Sequence, residues 1–163
     1  MRMARSMRWR AILFAAAAAM AVAGTGMTLT DLGPWYQSLR EPSWKPPDSA
    51  FGAIWTAIFA LAAAAGVVAW RNARSSSGRQ WIVALFAING FLNVLWSLIF
   101  FKLKRPDYAM VEVVFLWASI LSLILVLYRR SALASGLLVP YLVWVTIAGA
   151  LNYEVVALNG PFA

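Results

Sequence analysis

Polar and apolar positions in this chain are sorted by segment, with neither the period of a half-buried strand nor that of a surface helix. Five apolar stretches can be marked: Trp9–Leu29, Ala50–Trp70, Trp81–Phe101, Tyr108–Tyr128 and Ala132–Asn152, the last with a helix reaching to about residue 157. Each is long enough to cross a hydrocarbon core, which takes ~20 residues of helix. The connectors Arg71–Gln80, Lys102–Asp107 and Arg129–Ser131 are short and polar. The pattern predicts an all-α integral membrane protein, a five-transmembrane-helix bundle, built as one domain over residues 1–163. One connector differs from the rest. Asp31–Asp48, DLGPWYQSLREPSWKPPD, carries Trp35, Trp44, Tyr36 and four of the seven prolines. Proline fixes φ and removes a donor, so this loop is stiff and holds large rings in place. That suggests a lid over a flat, apolar ligand.

Composition agrees with the membrane reading and narrows the chemistry. The chain is 63% hydrophobic and 12% charged, unlike a soluble domain. It has no cysteine and no histidine. Disulfides, thiolate chemistry and zinc–cysteine clusters are excluded, and so are the commonest haem ligand and the usual general base. The net charge of +8 does not point to nucleic acid. With five spans, Arg2, Arg5, Arg8, Arg10, Arg71, Arg74, Arg79, Arg129 and Arg130 fall on one face, and Arg40, Lys45, Lys102, Lys104 and Arg105 on the other. Nine against five predicts a cytoplasmic N-terminus with the Asp31–Asp48 loop on the opposite side. A second reading of the N-terminus is a signal peptide: a basic start, an alanine-rich core and a cleavage site after Ala23, leaving four spans.

Polar residues inside a span tend to face the bundle interior. Asn89, Asn93 and Trp96 lie at i, i+4 and i+7 on one helical face. Interhelical hydrogen bonds and ligand contact fit the two asparagines equally; for Asn152, near a span end, hydrogen bonding fits better. Trp144, Ala148 and Asn152 share a stripe, as do Tyr108, Glu112, Phe115, Ser119 and Ser122. Glu112 needs an interfacial position, a proton or a cation, and Lys102, Lys104 and Arg105 are close in sequence. Pro140 predicts a kink in the fifth span or free carbonyls nearby. Ala62 and Gly66 form a small-xxx-small pair, although alanine is common throughout. Trp9, Trp70 and Trp81 sit at span ends beside arginines and read as interfacial anchors. Trp35, Trp44, Trp55 and Trp144 are candidates for one aromatic box, with plain core packing as the alternative.

The segments WYQSLREPSWKPP, AIWTAIF around Trp55, NGFLNVLWSLIFF and VPYLVWVTIAGALNYEV resemble, in order and spacing, the tryptophan-rich sensory protein or translocator protein family (TspO/MBR). The resemblance runs from about Gly33 to the C-terminus. It implies five membrane helices, a homodimer, and residence as a multi-pass protein in a bacterial inner or outer membrane among its lipids. It also implies a tetrapyrrole ligand, protoporphyrin IX or haem, with no obligatory cofactor. By the motif match the ligand-binding residues would be Trp35, Tyr36, Pro47, Trp55, Asn89, Asn93, Trp144 and Ala148, with Trp44 added from its place in the loop. Arg40 or Lys45 would meet a carboxylate. Lacking histidine, the chain should favour metal-free porphyrin over haem. The proposed sterol pattern is incomplete, because no basic residue follows Leu151 and Tyr153, which argues against sterol binding. The expected role is a sensor, regulator or transporter of porphyrins. The alternatives are an enzyme degrading porphyrin with light and oxygen, for which no acid–base pair is visible, and a scaffold acting through a protein partner.

Overall fold

The computed structural model describes residues 2–162, with side chains from Trp9 onward. The side chains of Arg2, Arg5 and Arg8, counted above in the charge bias, lie outside the described residues. Seven helices follow in order: α1 Arg2–Leu29, α2 Pro34–Gln37, α3 Asp48–Asn72, α4 Ser76–Ser97, α5 Pro106–Tyr128, α6 Ala132–Gly136 and α7 Val139–Asn159. They make five spans long and apolar enough to cross a membrane, as the hydrophobic pattern predicts. Helix starts follow local chemistry. Ser75 and Ser131 accept from the backbone N–H three residues on, at 3.0 and 3.2 Å. Pro34, Pro106 and Pro140 occupy first turns, where a missing N–H costs nothing.

The spans close into a ring. Helix α1 packs on α3 and α4, α4 on α5, α5 on α7, and α3 completes the circuit against α6 and α7. Alternate spans run antiparallel, so the N-terminus, the α3–α4 turn and the α5–α6 turn share one face, here the arginine face. The Asp31–Asp48 loop, the α4–α5 turn and the C-terminal end share the other, the lid face. The core is the inward stripe of α5 (Val113, Leu116, Ile120, Leu123, Leu127) against Ile58, Ala65, Ile82, Leu138, Tyr141 and Val145.

Three details depart from the sequence expectation. The fifth span breaks rather than kinks: α6 ends at Gly136, and α7 begins at Val139 with Pro140 in its first turn. Leu142 still donates to Leu138 O at 3.1 Å, so the turn is closed without the proline donor. The third span ends in a π-helical turn, Leu98–Lys102. A π turn inserts one extra residue, and here it buries both Phe100 and Phe101. Beyond it Lys104 takes a left-handed conformation (φ 55°), and Arg105 N–H reaches back to Ile99 O at 3.1 Å, terminating the helix. Finally, the tightest helix approach involves Gly90 rather than the Ala62/Gly66 pair. A Cβ on Gly90 would lie 2.9 Å from Val22 Cγ2, whereas Gly66 faces only the Phe86 ring at 3.7 Å.

Candidate ligand-binding site

The lid loop is tied to the bundle at several points. In α2, Trp35 meets Phe100 edge-on at 6.3 Å and Tyr36 meets Phe101 at 5.6 Å. The π turn makes both contacts available by presenting consecutive phenylalanines to the same space. The backbone of Arg40 is held by Asn159, whose Oδ1 accepts from Arg40 N at 2.7 Å and whose Nδ2 donates to Arg40 O at 2.9 Å. Lys45 Nζ reaches Glu41, Asp48 and the Tyr36 hydroxyl. Partial burial works against its charge, but the hydrogen bonds to Asp48, Glu41 and Tyr36 outweigh that and hold its pKa above the ordinary lysine value. Burial is also the main reason the Tyr36 phenol is pushed up, against the lowering effect of Lys45.

The expected single aromatic box divides into two clusters. Trp55 packs on Trp144 (6.4 Å, 88°), on Tyr141 (6.1 Å) and against Phe59, and Phe51 closes on Trp144 at 5.3 Å. Trp35 belongs to the second cluster, with Trp96, Phe100 and Phe101. Trp44 joins neither. It is 46% exposed and donates its indole N–H to Glu154 at 2.9 Å, so its ring fastens the loop to α7. Pro47 is exposed, at the N-terminal edge of α3. Ala148 is half-buried on the Trp144 side of α7.

The polar face of α4 turns inward as its spacing predicts. Asn89 donates to Ser119 at 2.9 Å, Asn93 to the Tyr141 hydroxyl at 3.0 Å, and Trp96 to Asn152 at 3.1 Å. Asn152 in turn donates to Pro106 O at 2.9 Å. These are interhelical bonds stitching α4 to α5 and α7. The α5 stripe is less uniform than its spacing suggests. Glu112 is buried and Ser119 half-buried, but Tyr108, Phe115 and Ser122 are exposed, because the buried stripe is centred on Val113, Leu116 and Ile120. Neither Lys102, Lys104 nor Arg105 reaches Glu112. Lys102 lies 4.0 Å from Asp31, Lys104 stacks over Trp35, and Arg105 pairs with Asp107. Glu112 is 5% exposed, and both its oxygens lack a protein partner. The Trp144 indole N–H is likewise buried and unpaired.

A sequence profile of the TspO/MBR family matches residues 11–158, the first span included. This chain belongs to the TspO/MBR family. It is 39% identical over 146 residues to the tryptophan-rich protein TspO of Chlorobaculum tepidum, covering 86% of this chain and 89% of that one. Protein CrtK of Rhodobacter capsulatus is 36% identical over 145 residues (86% and 88%), and the translocator protein of Sus scrofa 30% over 120 residues (73% and 71%). For a TspO/MBR protein, the five-span bundle makes it a multi-pass integral membrane protein. A large cavity of about 640 Å³ is also present, but it lies between α1, α3 and α4. Of the nine site residues that sequence reasoning named, it includes only Asn89. Sequence reading missed it because its α1 wall is mostly alanine, whose abundance hides a meaningful stripe. Trp70, expected as a lipid-facing anchor, lines this cavity beneath Arg79, while Trp9 and Trp81 are exposed as anchors should be.

Proposed function

We propose that this protein binds an acidic tetrapyrrole of the protoporphyrin type and senses or moves it within the membrane. The observation that carries the reading is the Trp55–Trp144 cluster, with the buried, unpaired Trp144 indole N–H inside it. A buried donor without an acceptor costs about 1–3 kcal/mol, which a ligand with ring nitrogens or carbonyl oxygens recovers. Edge-on indoles suit the face and rim of a flat ring. The Asn93–Tyr141 pair provides a polar edge beside it. Lys45 is already neutralised by two carboxylates, so of the two loop cations Arg40, whose side chain is exposed, is the better partner for a propionate. The relative named as a translocator protein supports transport over catalysis. Quenching of tryptophan fluorescence by protoporphyrin IX tests the reading: saturable quenching in the wild type, weakened in Trp144→Phe, supports it. Product analysis in light and in darkness separates binding from degradation, and turnover to new pigments would displace the binding reading.

A further inference from the structure

The cavity between α1, α3 and α4 is a wedge. Its closed end is fixed where Gly90 lets α4 meet Val22 of α1, and the two helices part toward the arginine face. From Arg10 at the mouth to Val22 at the apex is twelve residues of helix, about 18 Å at 1.5 Å per residue. The walls are apolar: small residues of α1 and Ala62, Ala63 and Gly66 of α3 on one side, and larger side chains such as Phe86 and Val83 of α4 on the other. The polar groups at the inner end already have partners within the protein, since Asn89 donates to Ser119 and the Tyr141 hydroxyl accepts from Asn93. Phe14 and Phe91, both on its lining, are exposed, so the wedge opens sideways toward lipid.

The mouth is cationic and lacks an internal counter-charge. Arg10 and Arg79 line it, and Arg79 stacks on the Trp70 ring at 5.5 Å with its Nε buried and unpaired. Among the described residues no acid pairs with either arginine. The sequence gives the reason: Asp31, Glu41, Asp48, Asp107, Glu112 and Glu154 are all the acids of the chain, and every one lies at or toward the lid face. A cationic mouth at headgroup height, an apolar slot behind it and a sideways opening define the occupant by charge and shape.

We propose that this wedge is a binding site for one anionic phospholipid of the surrounding leaflet, its phosphate at Arg10 and Arg79 and an acyl chain between α1 and α3. The site lies across Phe59 and Tyr141 from Trp55 and Trp144 and does not depend on the tetrapyrrole reading. Native mass spectrometry of the full chain in detergent tests it with three probes: palmitoyl-oleoyl phosphatidylglycerol, phosphatidylcholine with the same chains, and palmitate. The glycerol lipid should bind about tenfold or more tighter than the choline lipid, because two arginines meet an uncompensated anion. Arg10→Gln with Arg79→Gln should bring the two lipids within about threefold of each other. Ala63→Phe, which fills the slot, should weaken both, and Arg71→Gln, on the same face outside the wedge, should change neither. Unaltered tryptophan emission and size-exclusion profile identify the folded variants; were Ala63→Phe misfolded, the arginine pair still decides. Equal binding of the two lipids, no effect of the arginine changes, or binding of palmitate in preference to phosphatidylglycerol would each overturn the assignment.

Discussion

Lys45→Met should loosen the lid without loosening the bundle. Lys45 Nζ holds Glu41, Asp48 and the Tyr36 hydroxyl at once. Its own side chain is 12% exposed, but Glu41 and Asp48 are 35% and 53% exposed. Exposed partners discount each ion pair to about 0.5 kcal/mol, and the phenol bond adds roughly 0.5–1 kcal/mol. The sum, about 1.5–2 kcal/mol, corresponds to a rise of roughly ten- to thirtyfold in the opening constant of the loop. Amide hydrogen exchange in micelles at pH 7 reads this directly. Exchange over residues 35–45 should quicken about ten- to thirtyfold while the middle of α4 and α5 stays unchanged. Unchanged loop exchange would mean that the aromatic contacts and Asn159 hold the lid alone. Acceleration across all spans would mean that Lys45 stabilises the whole fold, refuting the local account. The pH dependence has a definite sign. Lys45 has a raised pKa in the folded protein, so its contribution is full below the unfolded value of ~10.4 and fades only as pH rises through the folded one. The Lys45 contribution should therefore be constant from neutral pH to about 9 and weaken in strong alkali.

Trp144→Phe should lower protoporphyrin affinity about threefold to tenfold, the worth of an aromatic pair, while Trp9→Phe leaves fluorescence titrations unchanged; equal losses would misplace the pocket. Glu112→Gln removes an acid that has no protein partner, so its thermal midpoint in detergent should be unchanged or higher; a loss of more than about 2 kcal/mol would reveal a stabilising contact of the carboxylate. Gly90→Leu should displace α1, because even a Cβ there lies 2.9 Å from Val22; accelerated exchange confined to α1 and its contacts is the expected result, and a native exchange pattern would refute the contact.

The spans were legible because a bilayer imposes length and apolarity together, and the inward face of α4 because Asn89, Asn93 and Trp96 repeat at helical spacing. Loop residues were harder. Trp44 and Trp35 look equivalent in sequence, but Trp44 is claimed by Glu154, 110 positions away, and no local pattern carries that pairing. Nearness in sequence misled for Glu112, since the α4–α5 turn points its three cations toward Asp31, Trp35 and Asp107 instead. The π turn left no mark either; two adjacent phenylalanines read as ordinary helix until their simultaneous burial shows the extra residue. Of the nine site residues named from sequence, Trp55 and Trp144 are in contact, Asn89 and Asn93 bond Ser119 and Tyr141, and Trp35 and Tyr36, within the loop, pack on Phe100 and Phe101.

Tyr141 belongs to two neighbourhoods at once. Its ring lines the wedge, and it also stands edge-on to Trp55 while its hydroxyl accepts from Asn93. Tyr141, 2% exposed, and Phe59, which also lines the wedge and stacks on Trp55, therefore form the wall between the wedge and the Trp55–Trp144 cluster. At mid-membrane the two spaces are divided by the thickness of two aromatic side chains, so each space shares a wall with the other.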